Sequence, residues 1–67
     1  MIQSILFDNT KWTTSKAMRW LKKHDHKPIK KAHNTENFIR YRLTEPDPKA
    51  KYITKKLGNG IELVIQI

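Results

Sequence analysis

Apolar and polar residues change period several times along this chain, and each change marks an element. Ile2, Ile5, Leu6 and Phe7 surround Gln3 and Ser4 in a short β-prone stretch, Met1 to Phe7, which the turn formers Asp8 and Asn9 break. Thr13, Thr14 and Ser15 then supply N-cap residues, and Ala17, Trp20, Leu21 and His24 follow at the i, i+3, i+4, i+7 spacing of one helical face. A helix is expected over about Thr14 to His24, with Trp12 placed as a hydrophobic staple above Ala17. His26-Lys27-Pro28 ends it, because proline has no amide donor and disfavours helical geometry in its predecessor.

Beyond Pro28 the period is two. Ile29 to His33 reads as a short strand, Asn34 to Asn37 as a polar turn, and Phe38 to Leu43 as a strand with Ile39, Tyr41 and Leu43 on one side and Phe38, Arg40 and Arg42 on the other. Glu45-Pro46-Asp47-Pro48 is a loop, since two prolines withhold ladder donors. Lys51 to Lys56 and Ile61 to Ile67 flank Leu57-Gly58-Asn59-Gly60, a tight hairpin turn that calls for positive φ angles. The expected fold is a single α+β domain over residues 1–67, ordered β-α-β-β-β-β, with two successive hairpins and one helix across one face of an antiparallel sheet. Trp12, Trp20, Leu21, Ile39, Tyr41, Ile61 and Ile65 are its expected core.

Composition narrows the chemistry. With 67 residues the core is small, and without cysteine there is no disulfide and no thiolate metal site, which suits a reducing, intracellular setting. Met1 to Phe7 lacks the leader and cleavage site of a signal peptide, and no run approaches a membrane span. Fourteen Lys and Arg oppose six Asp and Glu, giving a net charge of +8 and a field that attracts polyanions. Only Arg19, Arg40 and Arg42 are arginines; the rest are lysines, which bind phosphates as point charges better than they read base edges.

The candidate phosphate-binding set is Lys16, Arg19, Lys22 and Lys23 on the helix, Lys27, Lys30 and Lys31 in its exit, Arg40 and Arg42 on the third strand, and Lys55 and Lys56 in the last hairpin. One arrangement would place the helix stripe and Arg40/Arg42 on the rim of a single surface. Phe38 to Arg42 interleaves aromatics with arginines, as RNA-binding sheets do, without the glycines of that pattern. Other chemistry has less support. His24, His26 and His33 have no carboxylate or thiol at ligand spacing, and Ser4, Ser15, Asp25, His33 and Glu36 form no nucleophile-base pattern. No cofactor and no catalytic residue are therefore expected.

Two resemblances add to this reading. A short helix followed by a hairpin with a histidine is similar to the HicA-type ribonuclease toxins, whose fold resembles a double-stranded-RNA-binding domain. In place of that family's Gly-Ser-His run stands Ala32-His33-Asn34. More of the chain, about Lys11 to Ile65, resembles a short domain that recurs in tailed-phage head and maturation proteins and in uncharacterised proteins of large DNA viruses. The matching residues are Lys11-Trp12-Thr13, Ala17, Trp20-Leu21-Lys22, His24, Thr35 to Arg42, Pro48, Thr54 to Ile61 and Val64-Ile65. That resemblance implies a viral or phage origin, a place in an infected cell or a virion, and no protease activity.

The expected function is non-specific binding of DNA or RNA through phosphates. The alternative is an assembly module that binds an acidic protein or pairs through a strand edge; the apolar last strand, Ile61 to Ile67, is the candidate edge for a homodimer.

Overall fold

The computed structural model describes residues 1–67 and contains one helix and five strands. In chain order these are β1 (Ile2–Asp8), α1 (Thr14–Lys23), β2 (His33–Asn34), β3 (Phe38–Arg42), β4 (Tyr52–Lys56) and β5 (Ile61–Gln66). The strands form one antiparallel sheet in the order β2-β3-β1-β5-β4. The α+β class and the two hairpins match expectation, with the hairpins on either side of β1, so the first strand of the chain is the centre of the sheet.

Two expectations about strands need correction. The segment after Pro28 contributes only two residues to the ladder, His33 and Asn34, opposite Arg40 and Ile39. Pro28 lacks a donor and Lys30 and Lys31 favour water over a ladder position, while Ile29 is held to β3 by a single bond from its amide to the Arg42 carbonyl (2.9 Å). The last strand, moreover, is not an edge. β5 pairs with β1 on one side and β4 on the other, which leaves no open ladder for a homodimer through Ile61 to Ile67.

Thr13 caps α1 with its hydroxyl, which accepts from the Lys16 amide (3.2 Å). At the other end the His26 amide donates to the Leu21 carbonyl (2.8 Å) and the Asp25 amide to the Lys22 carbonyl (3.2 Å), a Schellman closure with Asp25 at φ 59°. The helix lays Ala17 and Leu21 over Ile5, Phe7, Ile39, Tyr41 and Ile61. Phe7 is the centre of this core, with ring centroids of Trp12, Trp20 and Tyr41 at 5.2, 5.7 and 5.8 Å, in the range of favourable tilted and edge contacts. The two tryptophans border the core rather than lying within it: both keep an exposed side. Trp12 also donates from Nε1 to the Asn59 carbonyl (2.9 Å), which ties the helix entry to the β4–β5 turn. In that turn Gly60 has φ 85°, and a Cβ there would come within 3.2 Å of Asp8 and Lys11 and 3.3 Å of Trp12.

Candidate polyanion-binding surface

Because Ala17 and Leu21 face the sheet, helical periodicity turns Arg19 and Lys22 outward and puts Met18 on one flank, 46% exposed. The closure at Asp25 then reverses the chain, so that His26, Lys27 and Pro28 return alongside the last turn. The result is a concavity of about 350 Å³ bounded by Met18, Arg19, Lys22, Asp25, His26, Lys27 and Pro28. A second, shallower hollow adjoins it, shares Met18 and Pro28, and includes Lys30, Lys31 and Tyr41 in its wall. Five of the expected phosphate ligands, Arg19, Lys22, Lys27, Lys30 and Lys31, thus surround two continuous hollows with an apolar seam.

The only carboxylate bordering the hollows is Asp25. The only salt bridge in the molecule joins Lys30 to Glu45 at 3.2 Å between two exposed side chains, a pair worth little to stability in water. Lys22 also completes the helix: in the last turn, a cation offsets the partial negative charge of the free carbonyls. Arg19, Lys27 and Lys31 have no such structural partner, and their charge is directed at solvent.

The remaining basic residues lie elsewhere. Lys16 and Lys23 fall on the flank of α1 away from Met18. Arg40 and Arg42 are on the opposite face of the sheet, since strand side chains alternate and Ile39 and Tyr41 occupy the face under the helix. A single rim joining the helix stripe to Arg40 and Arg42 is therefore excluded by the parity of β3. On that outer face His33, Arg40, Leu6, Glu62 and Lys56 form one cross-strand row, and Arg42, Ser4, Val64 and Thr54 the next. Lys55, opposite Leu63, belongs to the helix side of β4. Phe38 shares the outer face with the arginines, but Tyr41 is 2% exposed and is withdrawn from any stacking platform.

Arg40 has a structural role. Its Nη2 lies 3.4 Å from Ser4 Oγ and 3.5 Å from Gln3 Oε1, over an irregularity in β1 where Gln3 is skipped in the pairing with β5. Gln3 and Ser4 are the two buried polar side chains; Ser4 Oγ donates to Gln3 Oε1 (2.5 Å), and Gln3 Nε2 donates to the Thr44 carbonyl (2.9 Å). Arg40 Nε is buried without a partner. Of the two arginines, Arg42 is the freer.

The histidines divide in the same way. His24 lies tilted against Trp20 (ring centroids 4.2 Å, planes at 35°) and His26 is stacked with it (6.0 Å, 17°), while His33 is on β2. The i, i+4 spacing of Trp20 and His24 signals the first contact in the sequence, whereas the second depends on the turn at Asp25. Two ionisable groups are perturbed. Hydrogen bonds from the Thr10 hydroxyl and amide hold the Asp8 carboxyl below the usual range, and burial pushes the Tyr41 phenol up. Neither borders the basic groove's deeper hollow.

No protein-family model, curated protein or solved structure matches the chain. No helix is long and apolar enough to cross a membrane.

Proposed function

We propose that this chain is a small viral or phage protein that binds nucleic acid through backbone phosphates without reading base sequence and without catalysing a reaction. The supporting observation is the gathering of Arg19, Lys22, Lys27, Lys30 and Lys31 around two adjoining hollows with Asp25 as the sole bordering carboxylate. Four of these five are lysines, which neutralise phosphates but make few bidentate base contacts. The apolar seam of Met18 and Pro28 gives sugar edges a dry surface between the charges. On this reading the protein acts inside an infected cell or within a virion, wherever the viral genome or its transcripts are.

The outer-face arginines and Lys56 belong to this function only through long-range attraction, because the sheet stands between them and the groove. Binding that engages about four phosphates loses on the order of a hundredfold in affinity between ~50 and ~200 mM salt. Titration of labelled double-stranded DNA and single-stranded RNA at those two salt concentrations tests this directly. Tight binding that survives the higher salt unchanged, or no binding at the lower, contradicts it.

A further inference from the structure

The β4 edge of the sheet is free, and its hydrogen-bonding pattern can be read from its two ends. The Ile67 amide donates to the Lys51 carbonyl (3.0 Å), and the Leu57 amide donates to the Ile61 carbonyl (2.9 Å). In an antiparallel ladder inward-bonded residues alternate with outward-facing ones. Lys51, Ile53, Lys55 and Leu57 therefore direct their main chain at β5, and Tyr52, Thr54 and Lys56 direct three amides and three carbonyls away from the sheet. None of these six groups bonds to any turn, loop or cap of the chain.

This edge is also pre-formed. The Tyr52 hydroxyl accepts from the Asp47 amide (2.7 Å) and donates to the Asp47 carbonyl (3.1 Å), which fixes the turn leading into β4. The opposite edge of the sheet is β2, two residues long and too short to template a strand. Beside β4, on the helix side, Ile2, Ile65 and Ile53 are consecutive across three strands; Ile2 and Ile65 are half-buried, and Ile53 at the end of the row is 49% exposed.

We infer that β4 is a docking edge for an extended acidic peptide segment of a partner protein, which adds as a sixth strand and lays an apolar side chain against Ile53. The charge of the edge selects the occupant. Lys49, Lys51, Lys55 and Lys56 lie in or beside β4, and Asp47 is the only acid in the segment from Asp47 to Leu57. Edge lysines repel a second copy of the same strand, and Lys51 and Lys55 flank Ile53 on the helix side, so the strand they attract has an acidic residue two positions to either side of its apolar one. Main-chain bonds to Tyr52, Thr54 and Lys56 give the affinity, and Ile53 and the lysines give the selectivity. This surface is independent of the phosphate groove, which is bounded by α1 and its exit.

The probe is the capped peptide Thr-Glu-Thr-Val-Thr-Glu-Thr, whose Val and two Glu share one face, with a proline-interrupted peptide of equal charge as control. The readout is amide shifts and hydrogen exchange in the intact chain. The expected result is protection of the Tyr52, Thr54 and Lys56 amides by the uninterrupted peptide alone. Thr54→Pro removes one outward amide without touching the β4–β5 ladder, where an edge proline is tolerated, and is expected to weaken the peptide roughly tenfold. A reading taken with DNA in place of peptide separates the two surfaces: it should move Arg19, Lys22 and Lys27 and leave β4 unchanged. The proposal is overturned if both peptides bind equally, if the peptide's shifts centre on the groove, if DNA occupies the β4 edge, or if free chains pair through β4.

Discussion

Asp25 combines two features that conflict with the rest of its surroundings. It holds a left-handed backbone conformation that costs most side chains about 1–2 kcal/mol, less for Asp, and it places the one carboxylate in a groove that Arg19, Lys22 and Lys27 also border. Replacing it with glycine removes both. Asp25→Gly is expected to raise stability by about 0.5–1 kcal/mol in urea unfolding and at the same time to tighten DNA binding at low salt. Stabilisation without tighter binding would separate the turn from the groove. Asp8 sets a different dependence. Its folded-state pKa is depressed by the Thr10 hydrogen bonds, so its contribution is present above the unfolded carboxylate value of 3.8 and is lost as pH falls through the folded value. Acid unfolding of Thr10→Ala should show a weaker dependence in that acid limb, since the hydroxyl is the largest cause of the shift; an unchanged profile would locate the cause elsewhere.

At the scale of the element, legibility followed periodicity. The helix, the β3 strand and the last hairpin were each readable because an amphipathic period of 3.6 or 2 persists for five residues or more, with Thr13, Pro28 and Gly60 as punctuation. β2 was not, since Ile29, Ala32 and His33 imitate a strand while only two residues reach β3. The place of β5 was also hidden, because strand order depends on which hairpin packs beside β1 and no local pattern encodes that. The site shows the same division. The outward position of Arg19 and Lys22 followed from helical spacing, but their meeting with Lys27, Lys30 and Lys31 depended on the reversal at Asp25, a non-glycine residue that does not announce a left-handed turn. The parity of β3 was legible: with Ile39 and Tyr41 inward, Arg40 and Arg42 had to lie on the far side. Leu21 joins these elements, being fully buried between α1 and the sheet, and Leu21→Ala is expected to cost about 2–5 kcal/mol in denaturant unfolding. A loss below about 1 kcal/mol would mean that the helix is not what seals the core.

Across the whole molecule, a net charge of +8 is distributed over two surfaces by one layer of sheet. The helix and its exit hold a compact cationic groove, and the outer face holds a dispersed row in which Arg40 is engaged with Gln3 and Ser4. Total charge alone would make every lysine equivalent, whereas the fold gathers Arg19, Lys22, Lys27, Lys30 and Lys31 around the groove that we propose as the binding surface. Two triple charge reversals discriminate these alternatives at equal net charge: Arg19→Glu with Lys22→Glu and Lys27→Glu in the groove, and Arg42→Glu with Lys55→Glu and Lys56→Glu elsewhere. The most direct measurement is the affinity of both variants for the same labelled duplex DNA at ~50 mM salt, with folding checked by unfolding midpoint. The account predicts that the groove variant loses binding by on the order of a hundredfold and the other by less than about tenfold. Equal losses in the two variants would show that the protein's overall charge, and not its groove, is what nucleic acid meets.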